Sequence, residues 1–320
     1  MSEEPTATAT GPTPAGHEPV LLAESLEGLR ATEGGRFLDA TFGGGGHARG
    51  ILEAHPRNRL TALDRDPAAE RRAAEFADRF PERFRFLRLD FGDLGELDET
   101  GFDGVLFDLG VSSFQLDEPE RGFSFREDAP LDMRMDPGTG PPASEFLEAA
   151  PEADLVEAVR DFGEERSWRR VVRAIRDARG TGKLSRTVSF ADLVASVVPC
   201  APGRSRIHPA TRTFQGVRIA VNRELESIRR ALPSGFARLA PGGRMVVISF
   251  HSLEDRIVKR FFRARAGRPE GADDSRPQDE RSAEADLPFV RPRRPSGEEE
   301  RRNPRARSSR LRLLVKKDQP

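Results

Sequence analysis

The chain has 320 residues, 36 % apolar and 33 % charged, with a formal net charge of −1. That length fits one large domain, or one domain carrying a sizeable insertion. The single Cys200 excludes a disulfide framework and fits a reducing, cytoplasmic setting. No apolar run reaches the roughly 20 residues of a membrane span, and the N-terminus has no basic region followed by an apolar stretch, as a secretory signal would.

Residues 1–16 are rich in Thr, Ala, Pro and Gly and are expected to be a disordered tail. Val20–Leu29 reads as a short amphipathic helix. Strand and helix patterns then alternate. Strands are expected at Arg36–Ala40, Arg59–Asp64, Phe84–Leu89 and Gly104–Leu109. Helices are expected at Ala48–Ala54 and Pro67–Phe80, the latter with proline in its first turn. From 117 to 209 the alternation stops. Helical patterns at Ala153–Arg160 and Trp168–Ala178, with Pro-rich joints at Pro137–Pro142 and Pro199–Pro202, read as a helical insertion. Thr213–Leu239 reads as a long helix interrupted near Pro233. Gly243–Phe250 reads as a buried strand, Leu253–Arg265 as a basic helix, 267–286 as a flexible polar segment and Ser309–Lys316 as a final edge strand. The expected fold is α/β, a Rossmann-like, doubly wound, mostly parallel sheet formed by 17–116 and 210–320. Such sheets bind ligands at the carboxyl ends of their strands, where the strand order reverses.

Charge is unevenly placed. Asp117–Glu165 holds 15 acidic residues against 4 arginines, Ala201–Arg265 holds 14 basic against 4 acidic, and Arg291–Lys317 holds 11 basic against 3 acidic. A basic face of this kind suits a polyanion such as nucleic acid, although biased composition accounts for it equally well.

Three motifs fall at expected strand ends. Asp39-Ala-Thr-Phe-Gly-Gly-Gly-Gly-His47 joins the first strand to a helix. Its glycines permit a tight turn and close approach of a ligand, and the helix start offers free N–H groups. Gly43, Gly45 and Ala48, with Asp64 following 21 positions after Gly43, satisfy the dinucleotide fingerprint, with Asp64 on ribose hydroxyls. Several adenosine cofactors use that device. Asp39 discriminates among them: a carboxylate beside the glycines repels a pyrophosphate but suits the ammonium and sulfonium of S-adenosylmethionine. Past the third strand, Phe91 is placed to cover an adenine or simply to pack. Past the fourth, Asp108-Leu-Gly-Val-Ser-Ser113 offers a carboxylate and two hydroxyls. Cys200 reads as a packing residue, and no metal site is expected.

Nine motifs in order extend this pattern. They are Thr41–His47, Leu63-Asp-Arg-Asp-Pro67, Phe107–Ser113, Arg121-Gly-Phe-Ser-Phe125, Pro130-Leu-Asp-Met-Arg-Met-Asp136, Phe162-Gly-Glu-Glu-Arg166, His208-Pro-Ala-Thr-Arg-Thr-Phe-Gln215, Ser249–Arg256 and Asn303-Pro-Arg-Ala-Arg-Ser-Ser309. Together, from about His17 to Val315, the chain resembles the bacterial small-subunit rRNA cytosine-N4 methyltransferase (RsmH, or MraW) family. It departs from the family's motifs at Phe114, where proline is common, and at Gly44, where a longer side chain is frequent; 267–286 does not match.

The resemblance implies S-adenosylmethionine held by Gly45, Gly46 and His47 at its methionine and sugar end, Asp64 on the ribose, Phe91 near the adenine, and Asp108 and Gln115 completing the pocket. It implies a cytoplasmic rRNA methyltransferase whose partner is small-subunit rRNA or the ribosomal subunit, with no membrane association and with oligomeric state open between monomer and homodimer. Cytosine N4 is a poor nucleophile, so an acceptor for its proton is expected. Asp108, Ser112, Ser113 or a backbone carbonyl of their loop are the candidates. The target base must leave its stack to reach such a site, and Arg134, His208, Arg212, Phe214, Arg218, Asn222 and His251 are the candidates for RNA contact, with the insertion 117–209 as the recognition element. Two rivals stand beside this reading: an NAD-dependent oxidoreductase and a non-catalytic RNA-binding assembly factor.

Overall fold

A computed structural model describes residues 19–199 and 208–318. The proposed N-terminal tail at 1–16, and Cys200 with most of its Pro-rich joint, lie outside the described residues. The first half alternates as the sequence predicts: α1 (Leu22–Leu29), β1 (Arg36–Asp39), α2 (Gly46–Ala54), β2 (Arg59–Asp64), α3 (Pro67–Arg79), β3 (Phe84–Arg88) and β4 (Phe102–Asp108). The strands are apolar because helices cover both faces of the sheet. One face packs Leu38, Val105, Phe107, Met245 and Val247; the other packs Phe37, Leu60, Leu106, Val246 and Ile248.

After a one-turn α4 (Ser113–Asp117) come α5 (Ala143–Ala149), α6 (Glu152–Val156), which continues as a π-helix over Glu157–Phe162, α7 (Trp168–Ala178) and α8 (Thr187–Val197). These helices enclose a core of their own, including Leu147, Val171, Ile175, Phe190 and Val194. The chain returns through α9 (Thr211–Asn222), α10 (Glu224–Arg238), β5 (Leu239–Ser249) and α11 (Ser252–Arg265). It finishes with β6 (Ala285–Asp286), α12 (Gly297–Arg302) and β7 (Arg310–Lys316).

The sheet runs β3-β2-β1-β4-β5-β7-β6. Every pairing from β3 to β5 is parallel, and β7 is antiparallel to both β5 and β6. It is the Rossmann-like, doubly wound and mostly parallel sheet that the sequence predicts. Strand order reverses between β1 and β4, so the carboxyl ends of these neighbours, Asp39 and Asp108, flank the crevice where ligands bind.

Two expectations are corrected. The break in the long helix falls at Arg223, in left-handed geometry (φ 50°) with its N–H donating to the Ala220 and Ile219 carbonyls, while Pro233 lies inside α10. β7 is not the edge strand: it runs between β5 and the short β6. Within 267–286, read from the sequence as flexible, the structure places one short helical turn at Gln278–Glu280 and the β6 strand.

The two ends of the described chain meet. The Leu21 N–H donates to Glu299 Oε1 (2.7 Å) and Arg293 pairs with Glu27 (2.5 Å). None of the helices among the described residues is long and apolar enough to cross a membrane.

Candidate active site

A cavity of about 1080 Å³ opens at the β1/β4 crossover, lined by the glycine loop, Asp64, Phe91, the Asp108–Gln115 segment, Met135, Arg218 and Phe250. Residues from both ends of the described chain also line it, Pro19 and Val20 with Asn303 and Arg305, and Arg305 pairs with Asp117 at 2.6 Å.

The glycine loop is held by two side chains, Asp64 and Arg72. The Gly43 N–H donates to Asp64 Oδ2 (2.7 Å), and Asp64 Oδ1 accepts from the Asp66 N–H (2.9 Å). Arg72 Nε donates to the Gly43 carbonyl (3.0 Å). Gly45 has φ +75°, and a Cβ there would lie 2.9 Å from both the Phe42 and Phe76 rings. Both strain and crowding therefore require glycine.

Thr41 staples the two strand ends together. Its N–H donates to Asp39 Oδ1 (3.0 Å), and its hydroxyl oxygen accepts from the Asp108 N–H (2.7 Å). This leaves Asp39 Oδ2 and Asp108 Oδ1 buried and without a hydrogen-bond partner among the described residues. Burial, with the charge of Asp64 adding to it, pushes Asp39 up to about 7. Burial, together with Asp39 and Glu254, pushes Asp108 well above the usual carboxylate range. Orphaned buried carboxylates are costly unless a cation joins them. A pyrophosphate at this loop would meet like charge.

His47, at the start of α2, is buried, and burial lowers it to about 4, so the ring is neutral near pH 7. A carbonyl only accepts, so His47 Nε2 carries the proton that reaches the Val20 oxygen at 3.1 Å. Nδ1 then turns its lone pair toward Asp108 Oδ2, 3.5 Å away. That contact suits a protonated Asp108, in keeping with the upward displacement of its carboxyl.

Gln115 lies at the cavity wall with both ends of its amide in use. Its oxygen accepts from the Ser112 N–H (3.0 Å) while the Ser112 hydroxyl caps the Gln115 N–H (3.2 Å), a reciprocal capping box on α4. Its nitrogen donates to Asp66 Oδ2 (2.8 Å). Asp66 also pairs with Arg121 (2.8 Å), which donates to the Arg134 and Met135 carbonyls. The sequence marks Asp66 only as a helix start before Pro67; its second role, tying the cofactor loop to the 131–135 segment, depends on partners distant in the chain. The Ser113 hydroxyl, also on the wall, makes no hydrogen bond among the described residues. Phe91 lines the cavity and packs edge-on against Phe107 at 6.2 Å.

The candidates for RNA contact separate into two groups. His208 and Arg212 are exposed at the start of α9, and the His208 ring lies 4.8 Å from that of Phe125. Arg134 forms a forked pair with Asp132 (2.7 and 2.8 Å). The others have structural partners. Phe214 is buried against Phe125 and Phe190, because this face of α9 completes the core of the insertion. Buried Asn222 accepts from the Met135 N–H and donates to the Met133 carbonyl, both at 2.7 Å. Arg218 lines the cavity but its guanidinium is paired twice with Glu224 (2.8 and 2.9 Å). His251 caps α11 and lies 3.0 Å from Glu254. Phe214 and Asn222 are corrected to packing and clamping residues.

Glu224, His251 and Glu254 place ligand-type atoms within 4.8 Å of one another. The Arg218 guanidinium already supplies the cation of that cluster, so the expectation of no metal is left as it stood.

The MraW methylase family matches residues 14–317. The chain belongs to the MraW methylase family. It is 48 % identical to "Ribosomal RNA small subunit methyltransferase H" of Methylorubrum populi, over all of this chain and 93 % of that one. It is 47 % identical to the protein of the same name from Stenotrophomonas maltophilia, over 95 % and 94 % of the two chains. Among solved structures, an rRNA methylase from Streptococcus thermophilus superposes with a TM-score of 0.42 at 10 % identity, covering 96 % of this chain and all of that one. The chain is therefore a methyltransferase. S-adenosylmethionine is the cofactor of this methylase family, and the carboxylates that line the cavity fit its cationic groups.

The two departures from the family motifs touch each other. A Cβ on Gly44 would fall 2.4 Å from the Phe114 ring, and the Arg72 guanidinium lies over that ring at 4.5 Å. Phe114 thus occupies space that a side chain at position 44 would need. Gly44→Ala should displace the ring from Arg72 and weaken cofactor binding about fivefold, the scale of one exposed cation–π contact. In a Phe114→Ala background the same change should cost nothing further. Equal losses in both backgrounds, measured by calorimetry, would reject the coupling.

Proposed function

We propose that this enzyme transfers a methyl group from S-adenosylmethionine to the N4 amine of a cytosine in the decoding region of small-subunit rRNA, in the cytoplasm. The observation that supports this most directly is the pair of orphaned carboxylates, Asp39 and Asp108, beside a hydroxyl-bearing loop at the crossover. When bound, the cofactor supplies an electrophilic methyl on a cationic sulfur.

Gly45, Gly46 and His47 hold the methionine and sugar end, Asp64 takes the ribose hydroxyls, and Phe91 lies against the adenine. Asp64 can pin the loop and still bind ribose, because each carboxylate oxygen accepts twice. Gln115 acts through the capping box that shapes the Ser112–Gln115 wall. The N4 lone pair is delocalised into the cytosine ring, so an acceptor on N4–H localises it on nitrogen and then removes the proton. Asp108 serves when ionised. Ser113 has the free hydroxyl, whereas Ser112 is engaged as a cap. Orientation in the closed cavity supplies much of the rate. The insertion 117–209 presents the RNA, with His208 and Arg212 exposed at its junction with α9; the extruded base is read by stacking and edge hydrogen bonds. The names of the relatives support small-subunit rRNA as substrate.

Mass mapping of small-subunit rRNA from cells with and without this protein tests the proposal. Loss of one methyl from a cytosine N4 in the decoding region is the expected result, and an unchanged N4 methylation state would reject the activity.

A further inference from the structure

A second cavity, of about 700 Å³, lies between α10, α11 and the 268–284 segment. Each helix contributes one stripe. From α11 come Leu253, Arg256, Ile257, Arg260, Phe261 and Ala264; from α10 come Leu225, Arg229, Leu232 and Pro233. Both follow the spacing of a single helical face. Leu253, Ile257 and Phe261 are half-buried against the sheet core and form an apolar floor. The rim is cationic: seven arginines and three glutamates line the groove.

Several of these arginines have internal tasks. Arg276 pairs with Glu270 and Asp274, and Arg265 with Glu284. Arg229 and Arg268 are exposed and make no ion pair among the described residues. Arg256 and Arg260 have only long contacts, 4.0 Å to Glu164 and 3.6 Å to Asp273. Four cations over an apolar floor are thus available to something anionic that also carries flat apolar surface.

The groove adjoins the candidate active site. The dividing wall is the buried cluster of Arg218, Glu224, His251 and Glu254. Arg218 and Phe250 face the first cavity, whereas Leu225 and Leu253, each adjacent in sequence to a glutamate of that wall, face the second. α11 begins beside Phe250 and runs about 20 Å along the groove.

We infer that this groove binds the single-stranded RNA flanking the target base, with arginines on its phosphates and bases against the apolar floor. This rests on the proposed rRNA activity and adds to it a surface outside the insertion. Arginine with an aromatic platform is the usual composition of such tracks, and each phosphate contact leaves its mark on the salt dependence.

The test uses full-length protein carrying Arg229→Glu and Arg268→Glu together, with Arg71→Glu on α3 as a charge control. Anisotropy of a labelled single-stranded RNA, measured over a salt series, is the first readout. The expected result is about tenfold or greater loss of affinity at low salt and a log–log salt slope shallower by about 1.4, the release from two phosphates. Cofactor Kd and kcat at saturating rRNA should be unchanged, with KM for deproteinised rRNA raised. Wild-type affinity and slope in the double variant would overturn the inference. So would a raised KM confined to the assembled subunit, which would indicate a protein partner instead. RNA binding is read without methyl transfer, so wild-type protein that binds through the groove but leaves cytosine N4 unmodified would reject the proposed activity and leave the groove standing.

Discussion

Asp108→Asn should lower kcat/KM by about 10²–10³, through both a weaker cofactor Kd and a slower single turnover. The change keeps the side-chain shape, and the Thr41 contact is made by the backbone N–H of residue 108 (2.7 Å), so the strand ends stay stapled. What is lost is the charge that a cationic cofactor would call up on a carboxyl whose Oδ1 has no partner among the described residues. Losing one member of a buried, desolvated ion pair costs about 3–5 kcal/mol, and the lower part of that span, about 3–4 kcal/mol, converts to the stated range at 1.4 kcal/mol per tenfold. Calorimetric Kd and rapid-quench turnover separate the two contributions. Wild-type values for both would remove Asp108 from the site. A weakened Kd with normal turnover would confine it to binding and transfer the proton acceptor role to Ser113.

Asp39→Asn should do two opposite things: stabilise the empty protein above neutral pH and weaken its hold on the cofactor. The folded carboxyl sits at about 7 against an ordinary 3.8, chiefly from burial. The folded state therefore holds a proton between those values that the unfolded chain has released. Its stability falls as pH rises through that window and is level above it. The full difference corresponds to about 4 kcal/mol at pH 8, and relaxation around the site reduces it. Asn carries no such cost, so the variant should melt higher than wild type at pH 8, with the gap closing toward pH 4. Binding runs in the opposite sense. A cationic ligand requires the ionised form, so the Asp39 contribution to wild-type affinity should rise by up to tenfold per pH unit below about 7 and level off above it. The variant should bind more weakly at pH 8 and lose much of that dependence, the remainder belonging to Asp108. A wild-type affinity flat from pH 5.5 to 8, or a variant that melts lower at pH 8, would contradict the assignment.

The sheet was legible because its strands are buried on both faces and read as continuous apolar runs; β2 has the boundaries that the pattern predicts, and α3 announces itself with Asp66-Pro67. The insertion was legible only in part. α7 shows clear amphipathic spacing. α8 begins Thr-Val-Ser-Phe, a sequence with β-branched character, and is helical because Phe190 and Val194 complete a core with Phe214. Local propensity yields there to tertiary packing. The residues expected on the cofactor side gather at one cavity because they lie close to strand ends. The RNA side could not, because residue type does not reveal partners: Asn222 is satisfied by Met133 and Met135, nearly ninety positions away. Thr41 and Arg72 had no signal beyond proximity to the glycines, since their roles arise from the β1/β4 junction and the fold of α3.

The 19–20 and 303–305 segments, far apart in the sequence, both line the cavity, and this constrains how the site is completed. Val20 accepts from His47, so the helix that follows the glycine loop is tied to residues close to it in the chain. Asn303 and Arg305 supply the opposite wall, and β7 adds the neighbour of β5. Until the 303–316 segment docks, the glycine loop lacks this wall and the Asp39 and Asp108 carboxylates stay wet. Competence to bind the cofactor therefore depends on a docking event between segments far apart in the sequence.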